Sequence, residues 1–468
     1  MRTTKFLSIF TIAVCFLFTS CTEEGSSIPT ATPETKFETE ELTDGNGNVI
    51  ETITTITDYG KGLGTITLSS TTTWVLNGMV FVNNGQTLTI DEGTVIKGQS
   101  GQGENASALI IARDAKIMAY GTAANPVIMT SQADQIRRKA DNSGFENGGN
   151  LPATARGLWG GLIVLGNARL NSLPGTSAIE GIPTSESRGL YGGTDDDDNS
   201  GMLHYVSVRH GGTDIGSGNE INGITLGGVG SATSIHHIEV IANSDDGIEC
   251  FGGTARIRNA VITNVGDDAF DYDEGYRGYV QYLLIYQPGD RGGEHDGGTK
   301  PEDGIPYATP TFANITSIGK GVSEGKRTLT FRDNAGGFYW NSLFTEWGKG
   351  IDIENLTDGE DSRNRLEVDD LKLMHNLFEN VGDDILSKII VDSDGTDLTS
   401  HPNISGNAVN PFNLIGVLPT ASIAPANWTG FDNMSWFEAP MFKGAFNPDG
   451  SDNWHEGWTL TDEATVIQ

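Results

Sequence analysis

The stretch AVITNVGDDAFDYDEG, residues 260–275, decides the fold because similar stretches lie on both sides of it. IEVIANSDDGIECFGG precedes it at residues 238–253, and YLLIYQPGDRGGEHDGG follows it at residues 282–298. Each unit has a run of apolar and β-branched residues, an acidic turn, and a second short run that ends in Gly. FENVGDDI at residues 378–385 is a more distant copy. This part of the chain is therefore built from repeats of 22 to 23 residues.

A period of about 22 residues that contains strands and turns predicts a solenoid in which one repeat forms one coil. Leucine-rich repeats have a similar period, but the Leu and Asn framework that they need is absent. The composition, with 62 Gly and 16 Pro among 468 residues, favours short strands joined by tight turns. We therefore predict an all-β chain that forms a right-handed parallel β-helix of about a dozen coils over residues 60–400, with long loop insertions.

The last part of the chain, residues 401–468, does not follow the repeat and is rich in Trp and Phe. A solenoid needs its terminal coil covered, because the strand edge otherwise exposes unpaired backbone groups. We predict that this region is a cap over the last coil.

Residues 1–21 have the pattern of a secretory signal. Two basic residues are followed by an apolar run of 13 residues, which is too short to span a bilayer as a mature helix. LFTSC, which ends at Cys21, resembles a bacterial lipobox, in which cleavage precedes the Cys and lipid is attached to it. More than one acyl chain on Cys21 would anchor the protein to a membrane without crossing it.

The segment after the signal, residues 22–59, is rich in Thr and Glu and poor in apolar residues. This composition predicts a flexible tether, with a short hairpin at DGNGN, residues 44–48. Its first residues, TEEGSS, resemble the acidic signal that directs lipoproteins of Bacteroidota to the outer face of the outer membrane. Cys250 is then the one cysteine left in the folded part, and we predict that it is buried as a small apolar residue.

The formal charge of the chain is −33, and −35 once the two basic residues of the signal are removed. Such a surface repels nucleic acid and anionic lipid headgroups, so we expect no nucleic-acid partner. Acidic polysaccharides would need a divalent cation to bridge them to the protein.

Several segments together resemble one family of proteins. They are GLWGGLIVLGNARL, YGGTDDDDNSGMLHYVSVRHGG, EINGITLGGVGSATSIHHIEVIANSDDGIECFGG and GAFNPDGSDNWHEGWTL. They look like secreted β-helix lipoproteins of Bacteroidota and some marine Proteobacteria, over about residues 60–468. The resemblance implies a β-helix fold and a surface location at the outer membrane, and it implies little about chemistry.

The repeats predict two columns of acidic residues, because equivalent residues of a parallel β-helix stack about 4.8 Å apart. Carboxylates about 5 Å apart repel by roughly 3 kcal/mol per pair at an effective dielectric near 20. The columns are therefore solvated turns, or partly protonated, or a site for a hard cation such as Ca²⁺. The columns are Asp245, Asp267 and Asp290, and Glu249, Asp271 and Glu294. The candidate Ca²⁺ ligands are Asp267, Asp268, Asp271 and Asp273 and, in the separate run GTDDDDNSG, Asp195, Asp196, Asp197 and Asp198.

A catalytic interpretation uses the same residues. NSDDGIE and VGDDAF resemble the Asp pairs of polygalacturonase-like hydrolases, and GEHDGG resembles their His-bearing turn. No GHG motif occurs and the expected basic substrate-binding motif is missing, whereas a lyase would need a basic residue beside the cation. The nearest basic pair, Lys326 and Arg327, lies in an apparent loop. The candidate catalytic residues are Asp245, Asp267, Asp268 and His295.

Two further residue types are weaker candidates. His236 and His237 are adjacent, so in a regular strand they would face opposite sides and could not share a metal ion. Trp159, Trp340 and Trp347 are either platforms for sugar rings or part of the core.

The sequence favours a lipid-anchored surface protein of the outer membrane that is not an enzyme. Its acidic, Ca²⁺-binding face would capture a ligand such as a glycan, or dock with an outer-membrane partner such as a TonB-dependent transporter. A polysaccharide hydrolase or lyase is the alternative, and an adhesin is a third possibility.

Overall fold

The chain folds into an all-β parallel β-helix, as the repeat predicts. The structure is a computed structural model that describes residues 34–463, apart from residues 180, 181, 183, 184, 217, 218, 299, 421, 422 and 452. The predicted signal and the lipidation site at Cys21 lie outside the described residues. Within the described part of the chain, the structure has no helix with the length and apolar character needed to cross a bilayer.

One wall of the β-helix is a sheet of ten parallel strands, with one strand contributed by each coil. Ile248 pairs with Phe270, 22 positions later, and Tyr272 pairs with His295, 23 positions later, so the predicted repeat sets the register. In the central strands alternate side chains point into the core and outward. The strands are Met79–Val82, Ala108–Ile111, Leu162–Leu165, Ile224–Gly227, Ile248–Phe251, Phe270–Asp273, Glu294–Asp296, Arg327–Arg332, Lys349–Ile353 and Ile390–Asp392.

The other walls belong to a continuous sheet of eighteen strands. Most of its neighbouring strands are parallel, and four of its long strands stack in register over eight residues each. The strands are Lys36–Thr43, Val49–Thr57, Ile66–Leu68, Thr73–Leu76, Thr87–Ile90, Val95–Gly98, Lys116–Tyr120, Val127–Ser131, Gly201–Arg209, Ser234–Ile241, Arg256–Thr263, Tyr279–Tyr286, Thr311–Ile318, Gly337–Trp340, Leu343–Trp347, Leu371–Met374, Leu377–Val381 and Ala408–Val409.

A column of left-handed residues bends this sheet at the same place in successive coils. His237, for example, has φ of +53° and is skipped in the pairing, which resumes at Ile238. Asn tolerates this conformation better than most residues, and it occupies three of the seven positions. The members of this corner column are Tyr205, His237, Asn259, Tyr282, Asn314, Asn341 and His375.

The remaining elements are short. Four antiparallel pairs project from the coils: Arg137–Arg138 with Phe145–Glu146, Ser177–Ala178 with Leu190–Tyr191, Asp214–Gly216 with Asn219–Glu220, and Leu414–Ile415 with Leu418–Pro419. The helices are Gly103–Asn105, Ser187–Gly189, Val322–Glu324, Ser362–Glu367, Leu386–Ile389, Pro402–Ile404 and Leu460–Glu463.

The interior is a continuous apolar core that runs through the coils. Cys250 is fully buried in it, as predicted, and burial raises the pKa of its thiol. Trp159, Trp340 and Trp347 are also buried, so none of these three is available as a platform for a sugar ring.

The segment predicted as a flexible tether is partly ordered. Lys36–Thr43 and Val49–Thr57 form an antiparallel hairpin around the DGNGN turn. Val49–Thr57 also pairs in parallel with Thr73–Leu76. The prediction of a tether is therefore wrong for residues 36–57, because their Thr and Ile residues extend the eighteen-stranded sheet.

The C-terminal region differs from the predicted cap. Its first part covers the last coils, through Ala408–Val409, which pairs with Leu377–Val381, and through Ile404, which is buried in the main core. Residues 426–462 instead run back along the outside of the eighteen-stranded sheet, and we call this segment the strap. Phe431 packs beside Trp340, Phe446 packs with Val261 and Leu284, and Leu460 packs with Ile241. The aromatic residues of this region therefore cover the side of several coils and not the end of the last one.

Candidate functional site

The predicted acidic columns form on the outward face of the ten-stranded sheet and on the turns that lead into it. Glu249 and Asp271 are direct partners on adjacent strands. The backbone N–H of Glu294 donates to Asp271 Oδ1 at 2.7 Å, and that of Asp268 donates to Asp246 Oδ1 at 2.9 Å. We call the whole surface the acidic wall, and its members are Asp245, Asp246, Glu249, Asp267, Asp268, Asp271, Asp290 and Glu294.

Carboxylate oxygens of the acidic wall lie close enough together to hold metal ions. They form four overlapping groups of three, and the oxygens within each group lie within 4.8 Å of one another. Because every donor is a carboxylate, these clusters suit a hard divalent cation. The groups are Asp245–Asp246–Asp267, Asp246–Glu249–Asp271, Asp267–Asp268–Asp290 and Asp268–Asp271–Glu294.

A guanidinium already neutralises one end of the wall. Arg291 Nη1 lies 3.1 Å from Asp268 Oδ2, 2.9 Å from Asp290 Oδ2 and 3.1 Å from Glu294 Oε1. Burial works against this charge, but the neighbouring carboxylates outweigh it and raise the pKa of Arg291. The arginine therefore fills the space that a cation would take beside Glu294.

At the other end of the wall, carboxyl groups lie beside other carboxyl groups. Within the described residues, neither Asp246 nor Asp271 has a basic group within 4.0 Å, although both lie against other carboxylates. Burial raises the pKa of Asp246 well above its usual range, and the charges of Glu249, Asp245 and Asp268 raise it further. The pKa of Asp271 is raised in the same way, first by burial and then by its acidic neighbours. Both shifts favour the protonated form of these two side chains.

A buried amide lies beside this end of the wall. Asn222 is 6% exposed, and its side-chain nitrogen donates to Glu249 Oε2. Its carbonyl oxygen Oδ1 is buried and accepts no hydrogen bond from the described residues. An unsatisfied buried oxygen is costly, whereas an amide oxygen is a good ligand for a hard cation. We call Asp246, Glu249, Asp271 and Asn222 the cation site.

Two further carboxyl groups of this face titrate near neutrality. Burial raises the pKa of Asp268 to about 7, and Arg291 only partly offsets that effect. Burial also raises the pKa of Asp273 to about 7. Asp273 lies two residues beyond Asp271 on the same strand, and Asp296 is close enough to raise its pKa further. Asp273 is not a member of the four groups, so the structure does not bring it together with Asp267, Asp268 and Asp271.

The second predicted metal site, Asp195 to Asp198, is a turn whose side chains have other partners. Asp196 forms ion pairs with Arg169 and, at 2.9 Å, with Arg277. Asp195 Oδ1 accepts the backbone N–H of Asp197, and Ser231 and Ser200 donate to Asp197 and Asp198. Among the described residues, these four side chains are not members of any group of potential metal ligands.

His295, a candidate catalytic residue, points into the core and not toward the acidic wall. It is fully buried and stacks on Tyr272, with ring centroids 4.3 Å apart. Its Nε2 lies 2.6 Å from the hydroxyl of Tyr339, and burial lowers its pKa to about 3. His295 cannot contact a substrate, so its assignment as a catalytic residue is wrong. The other three candidates, Asp245, Asp267 and Asp268, are all on the wall.

The structure also corrects two statements about basic residues. His236 and His237 lie on the same side of the sheet, with their Nδ1 atoms 3.0 Å apart, because the left-handed conformation of His237 interrupts the alternation. Arg327 starts a strand of the ten-stranded sheet, and Lys326 Nζ lies 2.9 Å from Asp290. This pair therefore borders the acidic wall.

Sequence reasoning missed part of the site and one other cluster. Asp246 aligns with Asp268 at the same 22-residue step, so the repeat could have identified it. No sequence pattern indicated a role for Asn222, because this residue precedes the first clear repeat. A separate group, Glu302, Asp333 and Glu354, lies outside the wall and joins residues from three coils.

Comparison with known proteins places the chain in a family. A family model described as a pectate-lyase-like β-helix domain matches residues 60–410. The chain belongs to this family. No curated protein and no solved structure matches the chain.

Proposed function

We propose that the protein is a non-enzymatic binding protein that holds a divalent cation, Ca²⁺, at the cation site and captures an acidic glycan through that ion. The observation that carries the proposal is the pair Asp246 and Asp271, which lie against acidic neighbours with no basic group within ion-pair distance among the described residues. A bound cation would favour the charged form of both carboxyl groups and offset the repulsion between those charges.

The donor set supports Ca²⁺ over softer metals. All four side chains offer oxygen, and Ca²⁺ takes six to eight oxygen ligands in flexible geometry. Zn²⁺ prefers sites with His nitrogen or Cys sulfur. The protein would supply part of the coordination sphere, which leaves positions for water or for the carboxylate of a ligand.

The charge of the chain supports a cation-bridged glycan. A protein with a formal charge of −33 repels a polyuronate, and a Ca²⁺ ion on the wall reverses this interaction locally. Arg332 adds a guanidinium on the same face, 3.0 Å from Glu294 and 2.6 Å from Asp296.

Calorimetric titration of the purified protein with Ca²⁺ tests the ion, and binding of polygalacturonate with and without Ca²⁺ tests the ligand. We expect Ca²⁺ to bind and to release protons, and we expect polygalacturonate to bind only in its presence. Neutral dextran is the control. A protein that takes up no Ca²⁺, and whose melting temperature is indifferent to a chelator, would overturn the proposal.

We also propose that lipid on Cys21 anchors the protein at the surface of the outer membrane, where it delivers its ligand to an outer-membrane transporter. The lipobox-like LFTSC and the acidic TEEGSS support this location. Mass spectrometry of the protein from membranes should find acyl chains on an N-terminal Cys21. A soluble, unacylated product with its N-terminus elsewhere would contradict the anchor, and a co-purifying transporter would support the partner.

A polysaccharide-active enzyme is the second candidate, and the family and the pKa values of Asp268 and Asp273 near 7 favour it. Two observations oppose it. Oxygens of Asp267 and Asp268 lie within 4.8 Å, which opposes an inverting hydrolase, because that type leaves about 6.5–9.5 Å between its carboxyl groups for water. The raised pKa of Arg291 keeps its guanidinium protonated, so it is a poor base for a lyase.

A screen for new reducing ends or unsaturated uronates over a panel of polysaccharides separates the two candidates. Product formation that is lost in Asp268→Asn but kept in Asp195→Asn would establish the enzyme. Binding of polygalacturonate without any product supports the binding protein.

A further inference from the structure

A large cavity lies away from the acidic wall, between the side of the β-helix and two covering segments. Its volume is about 790 Å³. The wall of the β-helix contributes Ile128 and Arg209, the loop of residues 133–155 contributes Ile136 and Phe145, and the strap contributes Leu460. Drug-sized ligands occupy cavities of about 300–1,000 Å³, so this space is large enough for one, and most of its lining is polar. We call this space the Arg209 cavity.

Arg209 is the charged group that the β-helix presents to this cavity. The residue is 2% exposed, and its Nε donates to Ser207 Oγ at 2.7 Å. The same Nε lies 4.0 Å from Glu239 Oε2. Among the described residues, no side chain or carbonyl accepts a hydrogen bond from its two terminal nitrogens. These two nitrogens are therefore available to a ligand in the cavity that Arg209 lines.

Glu239 does not compete for those two nitrogens, because the strap occupies its oxygens. Its carboxylate accepts the backbone N–H groups of Leu460 at 3.0 Å and Thr461 at 2.8 Å. It also accepts the hydroxyl of Thr461 at 2.7 Å and that of Ser207. Glu239 therefore fixes both the strap and Arg209, and it leaves the outer edge of the guanidinium open.

The other charged groups of the cavity lining also favour an anion. Lys139 is half-buried in the lining, and no salt bridge to it is found within the described residues. Glu146 also lines the cavity, but its Oε1 accepts a hydrogen bond from Arg137 at 3.0 Å. The cavity thus combines a mostly polar lining, a few apolar side chains and two cationic groups on a protein whose net charge is strongly negative.

We propose that the Arg209 cavity binds a small carboxylic acid with an apolar body, such as an aryl-substituted alkanoate. The carboxylate forms two parallel hydrogen bonds with the terminal nitrogens of Arg209, which is the geometry that a guanidinium prefers. The apolar body packs against Ile128, Ile136 and Phe145. This site is independent of the cation site, because it lies on the eighteen-stranded sheet and uses positive charge.

Calorimetry with 3-phenylpropionate and its neutral amide tests the proposal on the full mature chain. We expect the acid to bind and the amide to bind roughly ten- to a hundredfold more weakly, because the amide lacks the charge-assisted pair. Arg209→Lys keeps the positive charge beside Glu239 but removes the paired N–H donors of the guanidinium. The affinity for the acid should therefore fall at least about tenfold. Lys388→Gln removes an exposed lysine elsewhere and should change nothing.

A second variant tests the same proposal if Arg209→Lys fails to fold. Ala124 is exposed and lines the cavity, so Ala124→Trp should narrow the entrance and abolish binding without disturbing packed residues. Equal binding of acid and amide would overturn the proposal. So would an affinity for the acid that is unchanged in both variants, or the absence of binding at about 10 mM acid.

Discussion

Glu249 and Asp271 face each other across adjacent strands of the ten-stranded sheet, one coil apart. Two carboxylates in this position repel each other, and the wall holds them there because the register is set by the apolar residues on the other face of the same strands. The core thus forces the acidic residues together, and either protonation or a bound cation relieves their repulsion.

Replacing Asp271 separates its role in stability from its role in binding. Asp271→Asn removes a ligand and a charge, so Ca²⁺ affinity should fall roughly tenfold or more. Without Ca²⁺ the melting temperature should not fall, because the change also removes repulsion from Asp246 and Glu249. Calorimetry and thermal melting with and without chelator measure both effects. Asp195→Asn is the matched control, and a Ca²⁺ affinity that fell equally in the control would contradict the site.

Stability without metal should depend on pH through Asp268. The pKa of this carboxyl is about 7 in the folded protein, compared with about 3.9 for Asp in an unfolded chain. The folded state therefore holds the proton more tightly, and the contribution of Asp268 to stability is present below about pH 4 and lost as the pH rises through about 7.

Asp268→Asn isolates this effect from the other titrating groups. The melting temperature of the wild type, taken relative to that of the variant, should decline between about pH 4 and 7.5 in chelator. Saturating Ca²⁺ should reduce the decline. A difference that rises with pH over the same range would show that the Arg291 ion pair, and not burial, dominates the Asp268 carboxyl.

His295 should affect stability and not metal binding. His295→Ala removes a fully buried ring between Tyr272 and Phe331, so the free energy of unfolding should fall by about 2–4 kcal/mol. Tyr339→Phe removes only the hydrogen bond to His295 Nε2 and should cost about 1 kcal/mol. Chemical denaturation measures both values. Ca²⁺ affinity that depended on His295 would contradict its placement in the core.

Glu239 should be essential for attachment of the strap. Glu239→Ala removes the acceptor of Leu460 and Thr461 and leaves Arg209 without its partner, so unfolding should become easier by about 3–5 kcal/mol. Glu438→Ala, at an exposed ion pair of the same strap, should cost less than about 1 kcal/mol. Limited proteolysis should then cut the strap in the first variant and spare it in the second. Equal stability of the two variants would show that the strap is held by its aromatic residues alone.

The repeat made the fold and the columns predictable, because both depend on which residues recur every 22 or 23 positions. The same pattern indicated that Asp268 lies close to both Asp267 and Asp271, which the structure shows. It did not give the orientation of His295. The repeat aligns this residue with Cys250 and Tyr272, which point into the core, but the polar imidazole suggested an exposed position.

Other features depend on contacts that no local pattern encodes. His236 and His237 contact each other because His237 has a left-handed backbone conformation at the corner. The simple alternation of side chains along a strand does not predict this contact. The course of the strap depends on pairs such as Glu239 and Thr461, which are 222 residues apart. The same is true of the cavity that the strap helps to enclose.

The corner column has a consequence for how this molecule changes over evolutionary time. Its seven positions share a left-handed backbone although Asn, His and Tyr all occur there, so the bend belongs to the place in the coil and not to one residue type. If a segment of one full period were duplicated or deleted, the bends of the remaining coils would therefore still stack in the corner column. Gain and loss of whole coils is the change that such an architecture tolerates best, and the spacing between its binding surfaces can lengthen or shorten in steps of one coil.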